Sequence, residues 1–97
     1  MPKTDNDGRP LRTVLSHMLR RDVPSPQISS ALGISSSSYY RRKSQDGYPD
    51  AEELRLVAER FGLNPVDLWV RFGLTTILDV QKFLVRASRG SRKRHQS

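Results

Sequence analysis

Apolar residues recur along the chain with helical spacing. Leu11, Val14, Leu15, Met18 and Leu19 stand at i, i+3, i+4, i+7 and i+8, one face of an amphipathic helix. Pro10 suits its first turn, and Pro24 disfavours helical backbone at Val23, so the pattern predicts an end near Asp22. Ser25-Pro26 reads as the next helix start, a hydroxyl cap followed by a residue with no amide to satisfy. Ile28 and Leu32 supply the buried side of that short helix, and Gly33 ends it where left-handed backbone is cheap. Ser35 or Ser36 can cap a third helix, which runs through Tyr39 and Tyr40 to about Lys43. A loop over Gln45 to Pro49 follows, with Asp46-Gly47 as its turn.

Asp50 and Glu53 form a capping-box start for a fourth helix, whose stripe is Leu54, Val57, Ala58 and Phe61. Gly62 ends it. Asn64-Pro65 repeats the cap-plus-proline signal, and Val66, Leu68, Trp69, Val70 and Phe72 fill a short fifth helix closed by Gly73. Thr76 and Asp79 open a sixth helix, expected to end near Ser88. Its stripe is Ile77, Val80, Leu84 and Ala87, while Leu78, Phe83 and Val85 lie off that stripe. A terminal helix apolar on more than one side either wraps the core or buries its surplus against a partner. Leu78, Phe83 and Val85 are therefore candidate contacts of a homodimer formed through this helix. No segment alternates with the period of a strand. The expected fold is all-α, a compact bundle of five to six short helices over residues 10–88. Residues 1–9 and the basic residues 89–97 are expected to be disordered.

Composition narrows the function. Ninety-seven residues make room for one domain and its tails. There is no cysteine, which excludes disulfides and thiolate metal sites. No apolar run approaches a membrane span, and the first residues lack the layout of a signal peptide, so a soluble, cytoplasmic protein is expected. The net charge is +7 and the pI about 10.6. That charge is segregated: Asp46 to Asp67 carries six acids and two bases, whereas the rest of the chain carries fifteen bases and four acids. A basic side set apart from an acidic stretch points to a polyanionic partner, double-stranded DNA above all.

The segment Gln27-Ile28-Ser29-Ser30-Ala31-Leu32-Gly33-Ile34-Ser35-Ser36-Ser37-Ser38-Tyr39-Tyr40-Arg41-Arg42 carries the most information. Two short helices that cross closely need a small residue on the first, which Ser29 supplies. They need a glycine at the turn, Gly33, an apolar residue within it, Ile34, and another midway along the second helix, where Tyr39 fits. With Ile28 and Leu32 these are the core of a helix-turn-helix. The alternative register buries Tyr40 in place of Tyr39. These residues resemble the helix-turn-helix of the Cro and lambda-repressor family, also called the XRE family. The resemblance continues through Tyr48-Pro49-Asp50-Ala51-Glu52-Glu53-Leu54 and the step Phe61-Gly62-Leu63-Asn64-Pro65-Val66-Asp67-Leu68-Trp69. It covers Leu11 to Phe72, about two-thirds of the chain, and within the family is greatest to the immunity repressors of temperate phages.

The resemblance implies a second helix lying in the major groove, with Ser36, Ser37, Tyr40 and Arg41 toward base edges. Arg41 is the best reader, since a guanidinium bonds guanine O6 and N7 bidentately. Gln27, Ser35, Arg42 and Lys43 would meet phosphates. Arg42 departs from the family, which usually has an apolar residue there; its stem could pack while its head reaches a phosphate. Arg92, Lys93 and Arg94 form either a solubilising end or a phosphate-tracking arm. The implied function is a sequence-specific repressor. An antitoxin that also binds a toxin protein, and an architectural protein of low sequence preference, remain alternatives. His17 and His95 lack metal-ligand spacing, and neither a Gly-x-Ser-x-Gly elbow nor a glycine-rich phosphate loop occurs. No enzyme, metal, cofactor or small-molecule ligand is expected.

Overall fold

A computed structural model of the chain describes residues 1–96, with side chains through Arg86. The chain is all-helical: α1 (Leu11–Leu19), α2 (Ser25–Leu32), α3 (Ser36–Arg42), α4 (Ala51–Phe61), α5 (Pro65–Arg71) and α6 (Ile77–Gln96), with no strand among the described residues. Helix α4 packs against α2 and α5, and α2 packs against α3. The core joins Leu11, Val14 and Leu15 of α1 to Ile28 of α2, Tyr39 of α3, Leu54, Val57 and Ala58 of α4, and Leu68 of α5. Val23, Tyr48 and Phe72 enter it from the connections, and Trp69 packs against its edge.

The caps explain where most helices begin. Asp50 accepts the Glu53 backbone N–H at 2.8 Å, while Glu53 accepts the Asp50 N–H at 3.0 Å, a complete capping box. Asn64 accepts from the Val66 N–H at 2.9 Å, and the Thr76 hydroxyl accepts from the Asp79 N–H at 3.1 Å. Two boundaries move from their expected places. Helix α1 stops at Leu19, with Arg20 left-handed at φ 56°, three residues before the expected end. The buried Val23 is the cause: its N–H donates to the Ser16 hydroxyl at 3.0 Å, so the chain must leave the helix early enough to turn back. In α2 the cap position is Pro24, not Ser25, because the Gln27 N–H already bonds the Pro24 carbonyl at 3.0 Å.

The first nine residues, expected to be disordered, are tied to the domain by hydrogen bonds, although only Asp5 among them is buried. The Lys3 N–H donates to the Tyr48 carbonyl at 2.7 Å, and the terminal amine pairs with Asp46. Asp5 is buried and accepts the backbone N–H groups of Asp7 and Arg9 at 3.0 and 2.8 Å. These bonds, led by that from Arg9, hold its carboxyl below the usual range. An Asx turn of this kind needs no apolar residue, which is why a hydropathy pattern passes over it.

Helix α6 also differs. It continues to Gln96 rather than ending near Ser88, as Arg, Lys and Gln are good helix formers and a lone Gly90 only weakens a helix. Of its described side chains only Val80 is half-buried; Ile77 and Leu84, on the stripe expected to face the core, are 64% and 58% exposed. Phe83 does not share a face with Leu78 and Val85. It lines a groove of about 380 Å³ with Val66, Trp69 and Val80, on the side turned toward α5.

Candidate nucleic-acid interface

The site is built around the turn between α2 and α3. Gly33 closes α2 at φ 70°, where a side chain would be strained. The N–H groups of Gly33 and Ile34 return to the carbonyls of Ser30 and Ser29, both at 3.1 Å, so the last turn of α2 is satisfied before the chain departs. Ser29 is buried in the crossing, with its hydroxyl donating to the Pro26 carbonyl at 3.0 Å. Ile34 and Leu32 pack against the core from the rim. Ser35 then caps α3: its side-chain oxygen accepts the Ser38 N–H at 3.1 Å and its hydroxyl donates to the Ser38 hydroxyl at 3.0 Å. The Ser35 hydroxyl, expected at a phosphate, is thus engaged within the helix start.

Tyr39 sets the rotation of α3. It is 5% exposed and meets the buried Tyr48 edge-on, with ring centroids 6.2 Å apart and planes at 74°. Tyr40, one residue on, is 68% exposed. With this rotation Ser36, Ser37, Tyr40 and Arg41 together line one open concavity of about 500 Å³ on the outer side of α3. Arg41 is exposed, and its side chain has no hydrogen bond or ion pair among the described residues. The Lys43 ammonium lies 4.7 Å from the centre of the Tyr40 ring, at the end of the same surface. A smaller crevice of about 170 Å³, bordered by Ser25, Pro26, Ser36 and Lys43, joins the start of α2 to this face.

Two phosphate candidates stand differently from expectation. Gln27 is exposed on the first turn of α2, but its side-chain oxygen accepts from Arg21 at 3.1 Å. Arg21, held over the Phe61 ring at 5.7 Å, is a cation beside that turn which the motif gave no reason to single out. Arg42 is turned inward. Its guanidinium donates to both carboxylate oxygens of Glu53 at 2.7 and 2.9 Å and to Gln45 at 2.8 Å, and lies 6.0 Å from the centre of the Tyr48 ring. The hydrogen bonds to Glu53 raise its pKa further, so it is a permanent cation spent on the protein's own carboxylate. Arg42 is accordingly a brace between α3 and α4, which corrects its assignment to a phosphate. A capping-box carboxylate eleven residues on was the signal for it. Arg92, Lys93 and Arg94 lie outside the residues with described side chains.

Ion pairing sharpens the charge segregation. Among the described residues every acid except Asp79 has a basic partner: Asp5 and Asp7 with Arg9, Asp22 with Arg12, and Asp46 with the terminal amine. Asp50 and Glu53 pair with Arg42, Glu52 and Glu59 flank Arg55, and Asp67 pairs with Arg71. Among the described residues Lys3, Arg20, Arg21, Arg41, Lys43, Arg60, Lys82 and Arg86 pair with none of them, and of these Arg21, Arg41 and Lys43 lie on or beside α2 and α3. No three His, Asp or Glu side chains converge on a metal site among the described residues, and no helix is long and apolar enough to cross a membrane. No family profile, characterised protein or solved structure matches the chain.

Proposed function

We propose that this protein is a sequence-specific, double-stranded-DNA-binding transcriptional repressor of the Cro and lambda-repressor type, acting in the cytoplasm, with α3 as its recognition helix. The observation that carries the reading is the outer face of α3. Ser36, Ser37, Tyr40 and Arg41 are presented together, uncommitted to the core, beside Lys43 and with no acid among them. Short hydroxyls allow close approach to a groove floor, and an unpaired guanidinium is the side chain best able to discriminate guanine. Gln27 on the first turn of α2, and Arg21 bonded to it from the preceding connection, would meet the backbone at the groove edge. The inward Arg42 fixes the helix that the other residues ride on.

The test is selection of bound duplexes from a random library at physiological salt, repeated with Arg41→Ala. A defined motif of roughly 6–12 base pairs is expected for one or two major-groove half-sites. Arg41→Ala should lower affinity for that motif by about 1–3 kcal/mol and flatten preference at one base pair. No enriched motif, with binding that disappears as salt rises, would replace this reading with an architectural one.

A further inference from the structure

Helices α5 and α6 border a groove of about 380 Å³ that the core leaves unfilled, lined by Val66, Trp69, Thr75, Asp79, Val80 and Phe83. Its walls are aromatic and aliphatic, and the one charged group on it is the Asp79 carboxylate. The Trp69 indole is fixed before anything binds, because its N–H donates to the Ala51 carbonyl at 3.0 Å. Phe83, 67% exposed, supplies an aromatic ring from the α6 side.

Asp79 is set apart from the other acids. It alone among those of the described residues lacks a basic partner, on a chain of net charge +7. Its place in the first turn of α6 does not occupy the carboxylate either. Glu53 holds the same position in α4 and bonds back to the Asp50 N–H at 3.0 Å. In α6 only the Asp79 N–H is engaged, by the Thr76 hydroxyl, and the carboxylate accepts no hydrogen bond among the described residues. Lys82, three residues on, makes no ion pair with it, and an exposed pair at that spacing contributes little. A carboxylate left open beside two aromatic rings is complementary to a cation on an apolar stem.

Arginine is the side chain that fits best. Its planar head can meet a carboxylate through two parallel hydrogen bonds while stacking on an aromatic ring, and its methylenes suit an apolar wall. The groove is open along one side. A free small molecule would stay half in water there, whereas a polypeptide covers that side with its own surface. From these observations we infer that the α5–α6 groove is a docking surface for a partner protein, which seats an arginine against Trp69 and Phe83 and pairs it with Asp79. Arginine and tryptophan are among the side chains that most often anchor interfaces, in concave sites of this kind. The groove shares no residue with the outer surface of α3. The inference therefore stands apart from the DNA reading and is tested without DNA.

The experiment selects binders of the full chain from a random peptide library at physiological salt. Enriched peptides should carry an arginine beside an apolar residue. They should lose at least about tenfold in affinity for Asp79→Asn and for Phe83→Ala, and none for Leu84→Ala, which does not line the groove. Replacing the peptide arginine by citrulline, alike in shape but uncharged, should also cost at least about tenfold. Circular dichroism checks that the variants fold. Trp69 is the only tryptophan of the chain, so its fluorescence should change as each peptide binds. No enriched peptide, enrichment without arginine, or equal affinity for Asp79→Asn overturns the inference. Phenethylamine binding more tightly than the arginine peptides, by the same fluorescence, would give the groove to a free small-molecule cation and overturn the protein partner. A Trp69 change on concentrating the chain alone would give it to a second copy, with the same consequence. None of these results bears on whether α3 binds DNA.

Discussion

Arg42→Ala is the most informative single substitution, because a brace and a phosphate contact predict different results. The Arg42 side chain is 27% exposed and that of Glu53 15%, with charge-assisted hydrogen bonds of 2.7 and 2.9 Å between them. A hydrogen bond between charged groups contributes about 1.5–3 kcal/mol when buried. Partial exposure lets solvent screen the pair and lowers this, while the Asp50 link, at 3.5 Å with a half-exposed carboxylate, adds little. Removing the guanidinium also strands a mostly buried carboxylate, although the Asp50 N–H still bonds it at 3.0 Å. These terms place the loss at about 1–2.5 kcal/mol. For a domain of this size that lowers the melting temperature by about 5–15 °C. Thermal and urea unfolding of Arg42→Ala, Glu53→Gln and the double variant should give a coupling above about 1 kcal/mol. DNA affinity, measured where the variant is fully folded, should change without altering the slope of log K against log salt. Unchanged stability, together with a slope reduced by about one, would show Arg42 to be a phosphate ligand and refute the brace.

Other outcomes follow from the same structure. Tyr48→Phe should leave stability unchanged or raise it by up to about 1 kcal/mol in urea unfolding, since the buried Tyr48 hydroxyl has no hydrogen-bond partner among the described residues. Gly33→Ala should cost about 1–2 kcal/mol by the same measurement, from left-handed strain alone, as no atom lies within 4 Å of the added carbon. Stability should fall on acidification. Asp5 is held below the usual carboxylate range by the Arg9 N–H, Asp46 by the terminal amine and Glu52 by Arg55, so each takes up a proton less readily when folded than unfolded. Their contribution is complete above the unfolded carboxylate range, about pH 4, and is lost as pH drops through the lowered folded values. A melting temperature flat from pH 6 to about pH 2.5 would contradict this.

What could be read beforehand divides along a physical line. Helix starts whose caps are local, Asp50 with Glu53, Asn64 and Thr76, were legible because both bonding partners lie within three residues. Tyr39 was the favoured of two registers, because the close crossing of two short helices needs an apolar residue midway along the second, and its 5% exposure against 68% for Tyr40 decides between them. Features resting on distant partners were not legible. Arg42 looked like one more base in a basic run until α4 brought Glu53 beside it. The early end of α1 depends on Val23 being drawn into the core, and the ordering of residues 1–9 on a carbonyl at Tyr48. Helix α6 was misjudged for the converse reason. Its stripe has the spacing of a core helix, but the core is already filled by Leu54, Val57, Leu68 and Phe72, which leaves Ile77 and Leu84 outside.

The division of labour along α3 also bears on how such a protein changes over generations. Tyr39 and Arg42 hold the helix in place, and neither belongs to the outward set. Ser36, Ser37, Tyr40 and Arg41 touch the outside and take no part in the core, so most replacements there should cost less than about 0.5 kcal/mol of stability. A lineage could replace these residues one at a time without passing through an unfolded ancestor. The scaffold would then be inherited while its address is rewritten. Under the proposed function, two chains with nearly identical interiors would serve different DNA sites in one cell.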